Sequence, residues 1–431
     1  MGANNESREV APLNAPLEDA LNGHTLVDSR YSWIRLTLAL LASTVGGAAM
    51  WSYMVALPAV QADFGILRGA ASMPYASAMA GVAIGSVAIG RLADRFGITA
   101  PMIFGAVLLA LGYIAAGLSP NIWLLTAAHG LLGVGCSATF GPLIADISHW
   151  FLRRRGIAIA ICASGNYLAG AIWPPIVQHF IASDGWRATH IGLGLLCLAT
   201  LLPLTYALRR PSPVQHGNTA IDSAANARRE ALGLSPTALQ VLLGIAGISC
   251  CVAMAMPQVH IVAYCADLGY GVARGAEMLS VMLAFGIISR VGSGFIADRI
   301  GGVRTLLLGS VLQAATLTLY LTTDGLASLY VISALFGLSQ GGIVPSYAVI
   351  VREYFPPQEA ATRVGIALTA TLVGMALGGW MSGAIFDLTG SYSAAFANGV
   401  LWNILNIAIA LRLVMRRPPR HRRGAEENAY A

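Results

Sequence analysis

An all-α polytopic membrane fold, with twelve transmembrane helices in two six-helix halves, is what this sequence predicts, and three observations predict it. The first is composition: of 431 residues, 56% are hydrophobic and 11% charged, and the mean hydropathy is +0.67. A water-soluble chain carries roughly 25% charged residues to cover its surface, and a disordered chain has fewer apolar residues still, so both classes are excluded. The second is a recurrence of apolar runs of about 20 residues, the length that crosses roughly 30 Å of hydrocarbon at 1.5 Å per residue. The third is an internal repeat at an offset of 204 residues.

The chain opens with a polar segment, 1–33, which is acidic as well as basic and contains Pro12 and Pro16. It lacks the charged, apolar and cleavage regions of a secretory signal and is expected to be a cytoplasmic tail. Apolar runs follow at 34–58, 72–90, 100–118, 122–148, 157–181 and 190–208, then at 237–265, 276–296, 303–322, 327–351, 364–386 and 393–414. Only helices or a closed barrel satisfy the backbone in lipid, and continuous runs of this length are helices. The halves are therefore 34–208 and 237–414, followed by a second cytoplasmic tail at 415–431. The connection 209–236 holds Pro, Ser, Asn, Ala and two arginine pairs and reads as a cytoplasmic linker.

All 26 of the Lys and Arg residues are arginine, which is read as genome composition, and the net charge is +6. Their placement orients the chain. Arg68, Arg187 and Arg274 fall on connections that are external if the N-terminus is cytoplasmic. Arg91, Arg95, Arg153, Arg154, Arg155, Arg209, Arg210, Arg299, Arg304, Arg352 and the tail from Arg412 to Arg423 fall inside, a strong positive-inside bias. The expected location is the bacterial plasma membrane with both termini cytoplasmic. Six cysteines (Cys136, Cys162, Cys197, Cys250, Cys251, Cys265) lie inside apolar runs without disulfide or zinc spacing and read as packing residues.

The repeat aligns unrelated features at one register. Gly90, Asp94, Arg95 and Gly97 map onto Gly294, Asp298, Arg299 and Gly301, so GRLADRFG after the second run matches GFIADRIG after the eighth. The same offset takes Gly133 to Gly337 and Trp150-Phe151 to Tyr354-Phe355. Two parallel six-helix repeats, related by an axis along the membrane normal, are the architecture of alternating-access carriers, whose substrate site lies between the halves near the midplane.

At these residues the sequence resembles the major facilitator superfamily, over the stretch from about Trp33 to Arg417. The first copy of the loop signature lacks the usual two basic residues (Ile98 and Thr99 stand there), while the second keeps Arg304. The segments WFLRRRGIAIAICASGNYLAGAIWPP, GWRATHIGLG, HIVAYCADLGY and SRVGSGFIADRIGG are similar to the branch of monocarboxylate porters and oxalate/formate exchangers. The loop residues are then gating candidates. Asp94 is assigned by pseudo-symmetry to the N-terminus of the eleventh helix near Val364, and Asp298 to that of the fifth near Gly156, where a carboxylate meets the positive end of a helix. Arg95 is expected to pair with Asp146, the acid inside the fourth helix. The plainer alternative is that these are solvated loop charges.

Polar residues within the spans are costly in hydrocarbon and need a partner or a water-filled cavity. Arg290 lies eight residues before Asp298, hence about 12 Å from the cytoplasmic end and near mid-depth. It either snorkels to the surface or meets an anion. In the resembling porters an arginine four residues before the motif glycine, here Arg290 before Gly294, receives the substrate carboxylate, and a guanidinium fork suits that task. His260 follows Pro257 by three residues on the seventh helix and combines a donor with a titratable group. Tyr53, Asn166, Tyr167, Gln258 and Gln340 complete the candidate pocket; each equally suits a role in holding helices together. His129, Trp173 and Trp380 are left as packing or interfacial residues.

The resemblance implies transport of a small organic anion coupled to protons or by anion exchange, with no cofactor, no metal, no nucleic acid and a functional monomer in the lipid bilayer. Two departures leave coupling open: the acid one turn before the arginine is replaced by Gly286, and the lysine of the first helix by about Ala59. The eleventh helix, from Val364 to Asp387, also lacks the second basic residue of oxalate exchangers, so a monoanion is favoured over a dianion. The favoured reading is a secondary transporter of a monocarboxylate, not an enzyme. A drug or amphipathic-metabolite efflux carrier is the alternative, although GNYLAGAIWPP departs from the GxxxGPxxGG pattern expected of it. A membrane enzyme or sensor finds no supporting motif. The orientation has a direct check: a reporter fused after Ala431 and active only outside the cell should stay silent, and a signal would overturn the helix count.

Overall fold

The computed structural model describes residues 27–210, 234–355 and 357–416. The described residues form helices without a strand. We label the spans α1 (Arg30–Phe64), α2 (Met73–Phe96), α3 (Thr99–Gly117), α4 (Ile122–Trp150), α5 (156–184) and α6 (186–207). The second half holds α7 (Pro236–Asp267), α8 (Val272–Ile300), α9 (Gly302–Thr322), α10 (Leu326–Tyr354), α11 (Thr362–Thr389) and α12 (Tyr392–Met415). α5 and α6 follow each other with one break, at Gly185, whose φ of 81° and ψ of 162° lie in a region open essentially to glycine. Twelve spans among the described residues thus agree with the twelve apolar runs. Residues 1–26 of the first tail, the second tail beyond Arg416 and linker residues 211–233 lie outside the described residues, and the helix of α1 begins at Arg30, inside the segment expected as tail.

Lipid tails are as apolar as leucine, so these helices gain little from hydrophobic contact with one another and associate where small residues let backbones touch. A Cβ on Gly133 of α4 would lie 2.0 Å from the carbonyl oxygen of Ala78 on α2, and one on Gly337 of α10 would lie 2.0 Å from that of Met282 on α8. Ala78 and Met282 are 204 residues apart, as are Gly133 and Gly337. The repeat is therefore present as a duplicated helix–helix contact.

Four of the labelled spans are interrupted among the described residues. α1 is interrupted at Gly47, α4 at Ala138–Phe140 before the Gly141-Pro142 step, α10 at Gly341–Gly342, and α5 at Ser164. Such breaks leave carbonyls outside the regular ladder, tolerable only against protein or a cavity.

One buried ion pair fastens the first half. Arg35 of α1 donates Nε to Asp146 Oδ2 at 2.7 Å and Nη2 to Oδ1 at 2.9 Å, and its guanidinium lies 4.6 Å from the Trp150 ring centroid. Asp146 therefore does not pair with Arg95, as the sequence suggested. Arg95 is exposed beside Phe96, whereas Arg35, buried on α1, presents a bidentate fork. Removing one partner of such a pair typically costs about 3–5 kcal/mol, because the other charge stays buried. Asp146→Asn should thus lower thermal stability in detergent far more than the double change Arg35→Met/Asp146→Leu. Equal melting of Asp146→Asn and wild type would show that the pair does not hold α1 to α4.

Candidate functional site

The halves meet along α5 with α8, α2 with α11 and α1 with α7. At the arginine-rich end, Gly90, Gly156, Gly292, Gly294 and Gly365 have no atom within 4 Å of where a Cβ would stand. At the opposite end, Gly379 would drive a Cβ to 2.8 Å from the Tyr75 ring, and Gly383 to 2.9 Å from the Arg68 carbonyl. The space between the halves is closed at one end and open at the other.

Arg290 of α8 stands above this opening. Nη1 donates to the carbonyl of Ala163 at 2.9 Å and Nε reaches that of Gly341 at 3.4 Å. These carbonyls lie at the breaks in α5 and α10, which is why they are available. The guanidinium carbon lies 4.2 Å from the ring centroid of Tyr167, a cation–π contact that spans the two halves. Among the described residues no carboxylate pairs with Arg290. Gly286 gains a reason here: a Cβ on it would lie 2.4 Å from Tyr167 Cε1, so the glycine admits the ring beneath the arginine.

The other candidate residues divide into groups. Gln258 Nε2 donates to Gln340 Oε1 at 2.7 Å, and Gln340 precedes Gly341, whose carbonyl accepts from Arg290. Both are buried, and Gln258 Oε1 and Gln340 Nε2 lack partners. Asn166 receives Trp51 Nε1 on its carbonyl at 2.9 Å and its side chain at 3.1 Å, tying α5 to α1. Tyr53 is buried in the first half, its hydroxyl donating to the Ala71 carbonyl and its ring 4.5 Å from that of His129.

His260 is placed with a different group. Arg290 lies about 27 Å along α8 from Val272, whereas His260 lies only about 10 Å along α7 from Asp267, so the two occupy different depths. His260 Nε2 is 2.8 Å from the Gly379 carbonyl, which can only accept, so Nε2 carries the proton. Its Nδ1 faces the Tyr392 hydroxyl at 3.5 Å.

The signature loops stand apart. Asp298 and Arg299 are exposed, and Gly301, at φ 85°, makes the turn into α9. Among the described residues no ion pair joins Asp298 to the start of α5, where it was expected. The side chain of Asp94 lies outside the described residues; Gly97, at φ 71°, closes α2.

Sequence reading missed the groups that close the other end, above all Arg68. It is 7% exposed and lies in the short turn Arg68–Ala71 ahead of α2. Nε donates to Gln61 Oε1 at 2.7 Å, Nη1 to Asp267 Oδ2 at 2.7 Å and also to the Tyr392 hydroxyl. The backbone N–H groups of Arg68 and Gly69 donate to Asp387 at 2.8 and 2.7 Å. One residue of the first half thus binds α7, α11 and α12 of the second. Tyr75 lies under it, 1% exposed and with no partner for its hydroxyl among the described residues. The signal was present: an arginine on an external connection that the charge bias otherwise nearly empties.

Comparison with known proteins agrees with this geometry. Monocarboxylate transporter 13 of Bos taurus is 28% identical over 376 residues, covering 80% of this chain and 85% of that protein. The agnestins efflux protein AgnL12 of Paecilomyces divaricatus is 24% identical over 332 residues, covering 75% and 73%. A bacterial homologue of the human lysosomal transporter Spinster, solved inward-facing and occupied, superposes with a TM-score of 0.64 at 16% identity, over 90% of this chain and 96% of that one. Residues 39–327 and 278–429 match the Major Facilitator Superfamily. With the duplicated six-helix halves, the site between them and these matches together, the chain belongs to the Major Facilitator Superfamily of membrane transporters.

Proposed function

We propose that this protein is a secondary transporter of a small organic monocarboxylate in the cytoplasmic membrane, working by alternating access with both termini cytoplasmic. The observation that carries this reading is Arg290: a guanidinium between the halves, held by two backbone carbonyls and an aromatic face, with no acidic partner among the described residues. A cation at mid-depth with no acidic partner is balanced by an anion, and a carboxylate matches its fork. Tyr167 and the Gln258–Gln340 pair flank the position, the latter offering an unpaired donor and acceptor for the rest of the substrate. The monocarboxylate transporter relatives support the same class.

In this reading the conformation described is inward-open, and the Arg68 cluster is the external closure. Arg68 donates to Tyr392, whose hydroxyl faces His260, which donates to Gly379. His260 accordingly acts on the closure rather than on the carboxylate. Proton coupling and anion exchange are both open to such a carrier. The efflux relative keeps the efflux reading as the alternative.

Truncating one partner of a desolvated, hydrogen-bonded charge pair typically costs about 2–5 kcal/mol, or roughly 30-fold or more in affinity. Purified, folded Arg290→Ala should lose carboxylate binding by that factor, and Arg290→Lys should also transport poorly because the fork is lost. Binding of a carboxylate to Arg290→Ala at wild-type affinity would move the assignment to the efflux reading.

Arg68→Gln should loosen the closure. A cysteine placed at Ser382, 1% exposed on α11, should then react with an impermeant thiol reagent from outside at least about tenfold faster, the effect of roughly 1.4 kcal/mol. Unchanged labelling would show that Arg68 does not hold the halves together.

A further inference from the structure

We infer that the groove between the start of α1 and the end of α6 is a binding site for the phosphodiester headgroup of an anionic phospholipid. A cavity of about 540 Å³ opens there, lined by Tyr31, Ala207, Arg209 and Arg210. The two arginines are held by rings instead of carboxylates: the Arg209 guanidinium lies 3.9 Å from the Tyr206 ring centroid, and that of Arg210 lies 5.2 Å from Tyr31. Neither forms an ion pair among the described residues. Both are exposed, and a guanidinium stacked on an aromatic face keeps its N–H donors available in the plane, which is the geometry a phosphate oxygen needs.

The walls of the groove choose between a lipid and a free anion. Ile34 and Leu41 of α1 are 57% and 46% exposed, and Leu202 and Tyr206 of α6 are 38% and 65% exposed. They extend from the arginines along the helix surfaces that face the hydrocarbon. A free phosphate has no use for that surface, whereas a lipid lays its acyl chains along it while its headgroup meets the arginines. Basic pockets between helices at the cytoplasmic boundary suit anionic headgroups for this reason. The site also touches the fastening of the first half, because the Tyr31 hydroxyl accepts from Arg35 Nη1 at 3.4 Å, and Arg35 carries the pair with Asp146. This inference does not depend on the identity of the transported substrate.

The test is retention of phosphatidylglycerol by the purified full chain in uncharged detergent, read by native mass spectrometry. Each arginine near an anionic surface contributes enough that losing two should weaken retention about 30-fold. The expected result is that Arg209→Gln/Arg210→Gln loses the lipid by that factor. Arg304→Gln/Arg352→Gln, which removes the same charge from the second half, should keep it, and phosphatidylcholine should be retained poorly by wild type. Equal loss in both double variants would reduce the effect to net charge, and wild-type retention by Arg209→Gln/Arg210→Gln would remove the site. Displacement of phosphatidylglycerol by millimolar inorganic phosphate would make it an anion site and overturn the lipid assignment.

Discussion

The structure depends on how twelve helices can hold together in a solvent that is as apolar as they are. Burial of leucine gains little there, so contact must come from close backbone approach and from polar groups that find each other. Glycine makes the first possible. Gly133 lies over the Ala78 carbonyl and Gly337 over that of Met282 so tightly that a methyl group would not fit. These two contacts, one in each half, draw α2 to α4 and α8 to α10. They leave α5 and α8 facing each other across the space between the halves.

The polar residues then sort by whether the protein itself satisfies them. Arg35 and Asp146 neutralise each other and fasten helices within one half. Arg290 has no such partner. It is supported by carbonyls released at the breaks of α5 and α10, and by a tyrosine that reaches it because residue 286 is glycine. Helix breaks are costly in lipid, and here they supply acceptors to a partly buried cation without cancelling its charge.

A second cluster joins the halves at one end. Arg68 gathers Gln61, Asp267, Asp387 and Tyr392, and Tyr392 leads to His260 and on to the Gly379 carbonyl. The bonds from Arg68 to Asp267, Asp387 and Tyr392 cross between the halves, whereas that to Gln61 and those from Tyr392 through His260 to Gly379 lie within one half. At the arginine-rich end no ion pair joins the halves among the described residues, and Asp298 and Arg299 are exposed there. Among the described residues, charged groups join the halves at one end.

The number of spans and their repeat were legible in the sequence, because hydrocarbon thickness imposes a length on each apolar run and because both halves kept one register. Arg290 was legible for a related reason: an arginine at mid-depth is too costly to be incidental. The partner of Asp146 was not, since Arg35 lies 111 positions away and nothing local distinguishes it from Arg95. Nor were the separation of His260 from Arg290, or the burial of Arg68 on a connection that looked external. Depth along a helix follows from residue counting, but which side a residue faces, and which helix stands opposite, are set only when the halves pack. The sequence by itself thus determined the membrane spans, the duplication and the cost of each buried charge. Only the tertiary structure decided which charges cancel, which stay open to a ligand, and which hold the two halves shut, because those outcomes depend on contacts between helices distant in the chain.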